Sequence, residues 1–264
     1  MKILFIGDIV GSKGRAAVKQ LLPSLKSTYD ADVVIANGEN AAHGKGITKK
    51  IYDELLSYGI DAITLGNHAF SKSDLYDFIA QADRLVRPLN LLPLDYGQSH
   101  LQLDVNGTPL VVANLCGSVF MENISESPFV VMRRWAKQFA GKIVLVDMHG
   151  EATSEKIAFA YRFQDHLAAV IGTHTHVQTA DEKIMNGCAF ISDVGMTGPY
   201  DSVIGRDVRE VLDRFDGIRA TRYTVAEGDP QLCGLFIEVD NSTRRAIRVE
   251  RIQIRPQNDL ITRP

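Results

Sequence analysis

The first third of the chain repeats one unit three times: a short apolar run, a polar tip, then a stretch of helical spacing. Lys2 to Gly7 is apolar and delivers Asp8, and Arg15 to Tyr29 follows as a helix. Val33 to Ala36 ends in Asn37-Gly38-Glu39-Asn40, and Thr48 stands where a cap would start a helix through Tyr58. Ala62 to Leu65 ends in Gly66-Asn67-His68, and Ser73 can cap a helix through Ala82. Continuous apolar runs suit strands buried on both faces, and their alternation with helices predicts a parallel α/β arrangement. In such sheets sites form beyond the carboxyl ends of the strands. All three tips carry residues able to bind metal or move a proton.

The middle of the chain changes character. Leu101 to Val105 and Pro109 to Leu115 flank Asn106-Gly107, the signal of a type I′ hairpin. Phe129 to Phe139 has helical spacing and holds Trp135, the sole tryptophan. The α/β rhythm then resumes. Ile143 to Val146 leads to Asp147-Met148-His149, Ala168 to Ile171 leads to Gly172-Thr173-His174-Thr175-His176, and Ala189 to Ser192 leads to Asp193 and a loop from Gly195 to Pro199. Arg222 to Ala226, Leu235 to Val239 and Ala246 to Ile254 read as antiparallel strands, and the end from Arg255 as frayed. With no internal repeat, low-complexity run or linker, the expectation is a single domain over residues 1–264.

Composition excludes several classes. A formal net charge of −3 argues against a general nucleic-acid binder, so no stable nucleic-acid binding is expected. Cys116, Cys188 and Cys233 are far apart, which fits buried thiols rather than a metal knuckle or disulfide scaffold. No apolar run approaches the roughly 18 residues of a membrane span, and the opening run is too short for a signal segment. A cytoplasmic protein is expected.

Five strand ends present Asp8, Glu39 with Asn40, Asn67 with His68, His149, and His174 with His176. Oxygen and imidazole donors suit manganese, iron or zinc. A carboxylate such as Glu39 can bridge two close ions. A loop can turn both rings of His174-Thr175-His176 inward, and on a regular strand they would share a face. Each residue alone has an ordinary explanation: a cap at Asp8, a turn at Asn67, a satisfied buried ring at His149. The set does not, because four of the seven histidines lie on the edge where acids and amides also gather. His100 and His166 read as structural or solvated. His43 follows Asn40 in a glycine-flanked loop and is a candidate substrate contact.

These residues carry a resemblance. Ile6-Gly7-Asp8, Asn37-Gly38-Glu39-Asn40, Gly66-Asn67-His68, Asp147-Met148-His149 and Gly172-Thr173-His174-Thr175-His176 resemble the ordered motifs of calcineurin-like metallophosphoesterases. The chain is most similar to their YmdB-like bacterial phosphodiesterase branch, through Asn37–Gly46, His149–Lys156, Gly172–Asp181, Asp193–Pro199 and Val225–Gly228. The resemblance implies a four-layer αββα sandwich of two mixed sheets flanked by helices, within the α/β class. It implies two divalent or trivalent metal ions per chain, with iron first and manganese or zinc as alternatives. Asp8, Glu39, Asn40 and His176 would hold one ion. Glu39 would bridge to a second, completed by Asn67, His149 and His174. His68 would be the proton donor.

The implied reaction is phosphodiester hydrolysis, with 2′,3′-cyclic nucleotides as the favoured small-molecule substrates and attack by a metal-bridging hydroxide. Asp147, Glu151 and Asp193 are candidates to orient the ligand rings, and Phe70 or Tyr200 to stack on a base. The family allows a homo-oligomer, although no interface signature is visible. Two departures stand out. The wider pattern has His two residues after its first Asp, where this chain has Val10 and Asn40 takes over. The stretch after the proton donor reads Ala69-Phe70-Ser71-Lys72, where the branch often carries a Thr-Trp-Asp-like stretch. Two other readings use the same residues: a metal-dependent amidase, and a metal- or nucleotide-binding regulator with little turnover.

Overall fold

A computed structural model describes residues 1–218 and 223–256. The first third holds β1 (Lys2–Ile6), β2 (Asp8–Ile9), α1 (Gly11–Tyr29), β3 (Val33–Asn37), α2 (Lys49–Ser57), β4 (Ala62–Thr64), α3 (Asp74–Phe78) and β5 (Leu85–Val86). The middle holds β6 (His100–Val105), β7 (Thr108–Cys116), α4 (Pro128–Trp135), β8 (Ile143–His149), α5 (Thr153–Phe163) and β9 (Ala169–Thr173). Then come β10 (Lys183–Met185), β11 (Cys188–Ile191), β12 (Met196–Pro199), α6 (Val208–Phe215), β13 (Pro230–Asp240) and β14 (Arg245–Ile254).

The strands form two mixed sheets. One runs β2-β12-β13-β1-β3-β4-β5, with β14 also on β13; the other runs β10-β11-β9-β8-β7-β6. Within the first, β1, β3, β4 and β5 are parallel, and β13 runs against β1. Within the second, β7, β8, β9 and β11 are parallel. An apolar layer joins the sheets through Ile3, Phe5, Val33 and Ile35 of the first and Leu145, Ile171 and Ile191 of the second. Two more clusters pack the outer faces. Val18, Leu22, Ile51 and Leu55 bring α1 and α2 onto the first sheet, and Met132, Trp135, Phe159 and Phe163 bring α4 and α5 onto the second. These are the four layers that the resemblance implies. Among the described residues no helix is long and apolar enough to cross a membrane.

Local signals act as expected in several places. The Thr48 hydroxyl accepts from the backbone N of Ile51 at 3.4 Å and starts α2. Asn106 and Gly107 have φ of 52° and 81°, as a type I′ turn requires. Gly14 lets α1 reach the sheet, since a Cβ there would lie 2.2 Å from the carbonyl oxygen of Thr197. Cys116, Cys188 and Cys233 are free and buried.

Other expectations are corrected. The loop from Gly195 to Pro199 is mostly strand: Met196 and Thr197 pair with Asp8 and Ile9, while Gly198 and Pro199 pair with Gln231 and Pro230. Its Gly and Pro disguise it, because a strand placed by its neighbours needs no strong propensity of its own. The helix after Ser73 is only α3 and a 3₁₀ turn over Ile79–Gln81. Ser73 itself is helical and caps nothing, while Asp74 accepts from the backbone N of Lys49 at 2.7 Å. Arg222 lies outside the described residues. Tyr223 to Ala226 is not a strand, and Val225 makes a lone bridge to Arg206. The end from Arg255 lies outside the described residues after Pro256. Helix α6 was not read from the sequence, although Asp207 caps it through Arg209 N and Glu210 N.

The layer between the sheets sets the frame of the molecule, so truncation there should be costly. Phe5 is fully buried, and Phe5→Ala is expected to destabilise the protein by about 3–5 kcal/mol. Urea unfolding of both proteins measures this; a loss below about 1 kcal/mol would show that the inter-sheet layer is not close-packed.

Candidate active site

The parallel strands of both sheets end at one edge, and the polar tips meet there. Asp8 lies at the start of β2, just beyond β1. Glu39 and Asn40 follow β3, and Asn67 and His68 follow β4. From the second sheet, His149 ends β8, and His174 and His176 follow β9. The contacts cross between the sheets. Glu39 Oε1 lies 3.2 Å from His149 Nε2, Asn67 Oδ1 lies 2.9 Å from the same nitrogen, and Asn40 Nδ2 lies 3.0 Å from His176 Nε2. The backbone N of His174 donates to Asp8 Oδ2 at 3.3 Å. The structure therefore gathers all eight residues singled out in the sequence.

Backbone geometry turns the two late histidines inward. β9 stops at Thr173, and His174 and His176 then have φ of 104° and 67°. Side chains other than glycine rarely occupy that region, so the surroundings must hold it. Asp193 does part of this: its Oδ2 accepts from Thr175 N at 2.9 Å and its Oδ1 from Gly195 N at 2.9 Å. Lys156, fully buried on α5, donates to Asp193 Oδ2 at 3.2 Å and to the Thr173 carbonyl at 3.1 Å. His176 Nδ1 is fixed by the Ile204 carbonyl at 2.8 Å.

Other ring atoms are also anchored. His149 Nδ1 meets Thr173 Oγ1 at 2.8 Å, and that hydroxyl donates to Asp147 Oδ1 at 2.6 Å. Asn37 Nδ2 donates to Asp147 as well, at 2.9 Å. The contact leaves His149 Nε2 to face the centre of the site. Glu151 Oε2 lies 3.2 Å from His174 Nε2. Of the three acids expected to orient rings, Glu151 therefore does so directly and Asp147 through Thr173. Asp193 holds the loop backbone instead. Thr173, Lys156 and the Ile204 carbonyl were not read from the sequence. A lysine on a helix normally signals a wet face, and a carbonyl leaves no mark in the side-chain pattern.

The electrostatics describe a place short of positive charge. Burial, and then the neighbouring carboxylates Glu39, Asp193 and Asp147, raise the Asp8 pKa well above the usual range, although His149 opposes them. Asp8 Oδ1 is buried and has no hydrogen-bond partner. Burial would raise Glu39 too, but His149 and His68 hold its carboxyl well below the usual range. Burial works against a charge on His149, yet Glu39, Asp8 and Asp147 prevail and lift its pKa to about 9. Burial and the charge of His149 depress His174 to about 3. The proton on His149 thus supplies the cation that the acids require.

These features fit metal ions. Ligand atoms of Glu39, His149 and His174 lie within 4.8 Å of one another. Gly66 keeps the space clear, since a Cβ there would sit 2.3 Å from Glu39 Oε2 and 2.4 Å from His149 Nε2. The Asn40 amide nitrogen faces Glu39 Oε1 at 3.0 Å, and its oxygen faces His68 Nδ1 at 3.2 Å. A half-turn of the amide exchanges the two atoms and offers oxygen to a cation. Val10, where the wider pattern has His, is buried against Gly198 and Gly205.

Residues left outside the centre have other tasks. His43 is exposed, and so is His166 just beyond the end of α5. His100 packs edge-on to Trp135 and Phe139, with centroids 5.4 and 5.0 Å apart. Phe70 stacks on Tyr76 at 5.5 Å, and the Arg255 guanidinium lies 5.8 Å from the Tyr200 ring.

Comparison with known proteins adds an independent line. The chain is 46% identical to a 2′,3′-cyclic-nucleotide 2′-phosphodiesterase of Bacillus subtilis, over 96% of this chain and 97% of that protein. It superposes with a TM-score of 0.91 on the crystal structure of a phosphatase from Mycoplasma pneumoniae, at 40% identity, covering 96% of this chain and 93% of that one. The structure of a putative 5′-nucleotidase from Staphylococcus aureus shares the fold at a TM-score of 0.62, with 13% identity and coverage of 96% of this chain and 54% of that one. The model of the YmdB-like protein family matches residues 4–252. On these matches and the gathered motif residues, the chain belongs to the YmdB-like family.

Proposed function

We propose that the protein is a dinuclear metal-dependent phosphodiesterase that hydrolyses 2′,3′-cyclic nucleotides. The observation that carries this is the convergence of two carboxylates, two amides and three imidazoles, from two sheets, around Glu39. In this reading Asp8, Glu39, Asn40 and His176 would hold one ion, and Glu39, Asn67, His149 and His174 would hold the other. Glu39 Oε1 supports the shared role, being within 3.2 Å of both the Asn40 amide and the His149 ring. The donor set suits iron, our first choice, or manganese or zinc. When bound, the ions supply Lewis acidity that activates water and offsets charge on the phosphoryl oxygens. Three buried free thiols accord with a reducing, cytoplasmic setting.

The chain's own residues supply charge balance, position and a proton. Asp8 and Glu39 bring only two negative charges against two divalent ions, so the loaded site stays positive and draws phosphate in. His68 stands at the rim, its side chain 24% exposed where Glu39 is 1% exposed. Its Nδ1 is engaged by Asn40 Oδ1 at 3.2 Å and lies 3.4 Å from Glu39 Oε1. Nε2 is then the ring atom that hands a proton to the leaving ribose oxygen. The His68 backbone N donates to Glu39 Oε2 at 3.0 Å, which fixes the donor against the shared carboxylate.

The test is turnover of 2′,3′-cyclic AMP and bis-p-nitrophenyl phosphate by metal-loaded protein, with elemental analysis of the same sample. Metal-dependent cleavage is expected, and His68→Ala should slow it by about 100-fold or more while leaving the metal content unchanged. Two bound ions with no cleavage of either compound would favour a regulatory protein. Cleavage of amides instead would favour the amidase.

Loading should also displace protons. His149 is raised to about 9, so it keeps its proton below that pH and loses it above. A ligand must be deprotonated. Metal binding at pH 7 should therefore release at least one proton per chain, with the contribution of His149 vanishing as pH rises past 9. Calorimetry in buffers of different ionisation enthalpy measures the count; a value of zero at pH 7 would contradict the charge assignment.

A further inference from the structure

At the end of β8 remote from His149, the surface opens into a cavity of about 660 Å³. β8 spans Ile143–His149, so roughly 20 Å separates the cavity from the proposed metal site. Three segments wall it: the helical stretch from α4 to β8, the end of α5, and the turn between β13 and β14. They contribute Arg133, Lys137, Lys142, Arg162, Arg244 and Arg245. His166 adds an ionisable ring, and Asp165 is the one carboxylate in the lining.

These six cations outnumber the acids of the cavity. Among the described residues no ion pair uses any of them. Their partners are neutral. Arg133 donates to the Phe129 carbonyl at 3.2 Å, and Arg245 to the carbonyls of Gln164 at 2.7 Å and Asp165 at 3.0 Å. Lys142 donates to the Gln102 side chain and lies 5.3 Å from the centre of the Phe139 ring. The Asp165 carboxylate accepts from Asn186 Nδ2 at 2.6 Å. A chain of net charge −3 thus concentrates six cations against one carboxylate, Asp165, in one concavity. Such an arrangement raises the local concentration of anions. The buried side chains of Phe139, Phe163 and Leu167 form an apolar floor.

We propose that this cavity is a binding site for a small molecule carrying two or more phosphate groups, separate from the hydrolytic centre. Its volume falls in the range of small-ligand pockets, about 300–1,000 Å³. Arg162 and Arg244 are exposed and carry forked donors suited to phosphate oxygens, while Arg245, held by carbonyls, contributes its charge. The convergence of three segments on one concavity favours a compact polyanion over a long one, because an extended nucleic acid needs a continuous basic stripe.

The experiment titrates inorganic tripolyphosphate, and separately ATP, into the full chain both as isolated and after metal removal, by calorimetry in about 0.1 M salt. Saturable binding of one molecule per chain is expected in the metal-free protein, weaker at higher salt, and the same binding should persist in the protein as isolated beside any phosphate held at the metal site. The exposed double variant Arg162→Glu with Arg244→Glu should lose at least tenfold in affinity, keep its circular dichroism spectrum, and hydrolyse bis-p-nitrophenyl phosphate at the normal rate. His149→Ala, if its circular dichroism matches the parent, should bind tripolyphosphate as the metal-free parent does. The proposal falls if the metal-free protein shows no saturable binding, if the double variant binds as well as the parent, or if His149→Ala with the parent's circular dichroism spectrum no longer binds. It also falls if single-stranded RNA binds far more tightly than tripolyphosphate with several chains per strand, which would make the surface a nucleic-acid site.

Discussion

The contact between Glu39 and His149 is the interaction on which the rest of the structure turns. It joins the edge of one sheet to the edge of the other, with Oε1 and Nε2 3.2 Å apart and both residues out of solvent. A buried charge is tolerable only when paired and hydrogen-bonded. Glu39 satisfies that condition through Asn40, the backbone of His68, and His149 itself. His149 meets it through Glu39 and the Thr173–Asp147 relay. Removing either partner leaves a buried charge uncompensated, so this edge is stable only while a proton or a metal stands among its acids.

The apolar layer explains why such a centre forms here. Two mixed sheets packed through Phe5, Ile35, Leu145 and Ile171 bring the carboxyl ends of their parallel strands to a common edge. The hydrophobic contact fixes the separation of the sheets, and the polar tips inherit that separation. Behind the tips a second tier holds backbone rather than rings. Lys156 and Asp193, both fully buried, brace the loop that keeps His174 and His176 at positive φ. Strain in that loop is held by a buried ion pair, and the ion pair is held by the packing of α5.

Much of this was legible in the sequence, for a physical reason. Apolar runs that end in Asp8, Glu39, Asn67, His149 and His174 carry strand, edge and chemistry in one short window, and the order of those windows carries the family resemblance. Four layers came from the resemblance, since periodicity alone shows which residues are buried and not which sheet they join. What escaped depends on tertiary contact. β12 is a strand because β2 and β13 flank it, not because Met196-Thr197-Gly198-Pro199 prefers one. Lys156 is buried because Asp193 awaits it. The Asn40 amide orientation, nitrogen toward Glu39, is set by the charges around it and leaves no trace in the residue pattern.

In the proposed centre one carboxylate, Glu39, would serve two metal positions. Elemental analysis of metal-loaded variants tests it most directly. The parent should hold about two ions per chain, His176→Ala about one, and Glu39→Ala close to none, each measured on protein whose circular dichroism matches the parent. If Glu39→Ala still holds two ions, or the parent saturates at one, the shared centre built on Glu39 is wrong.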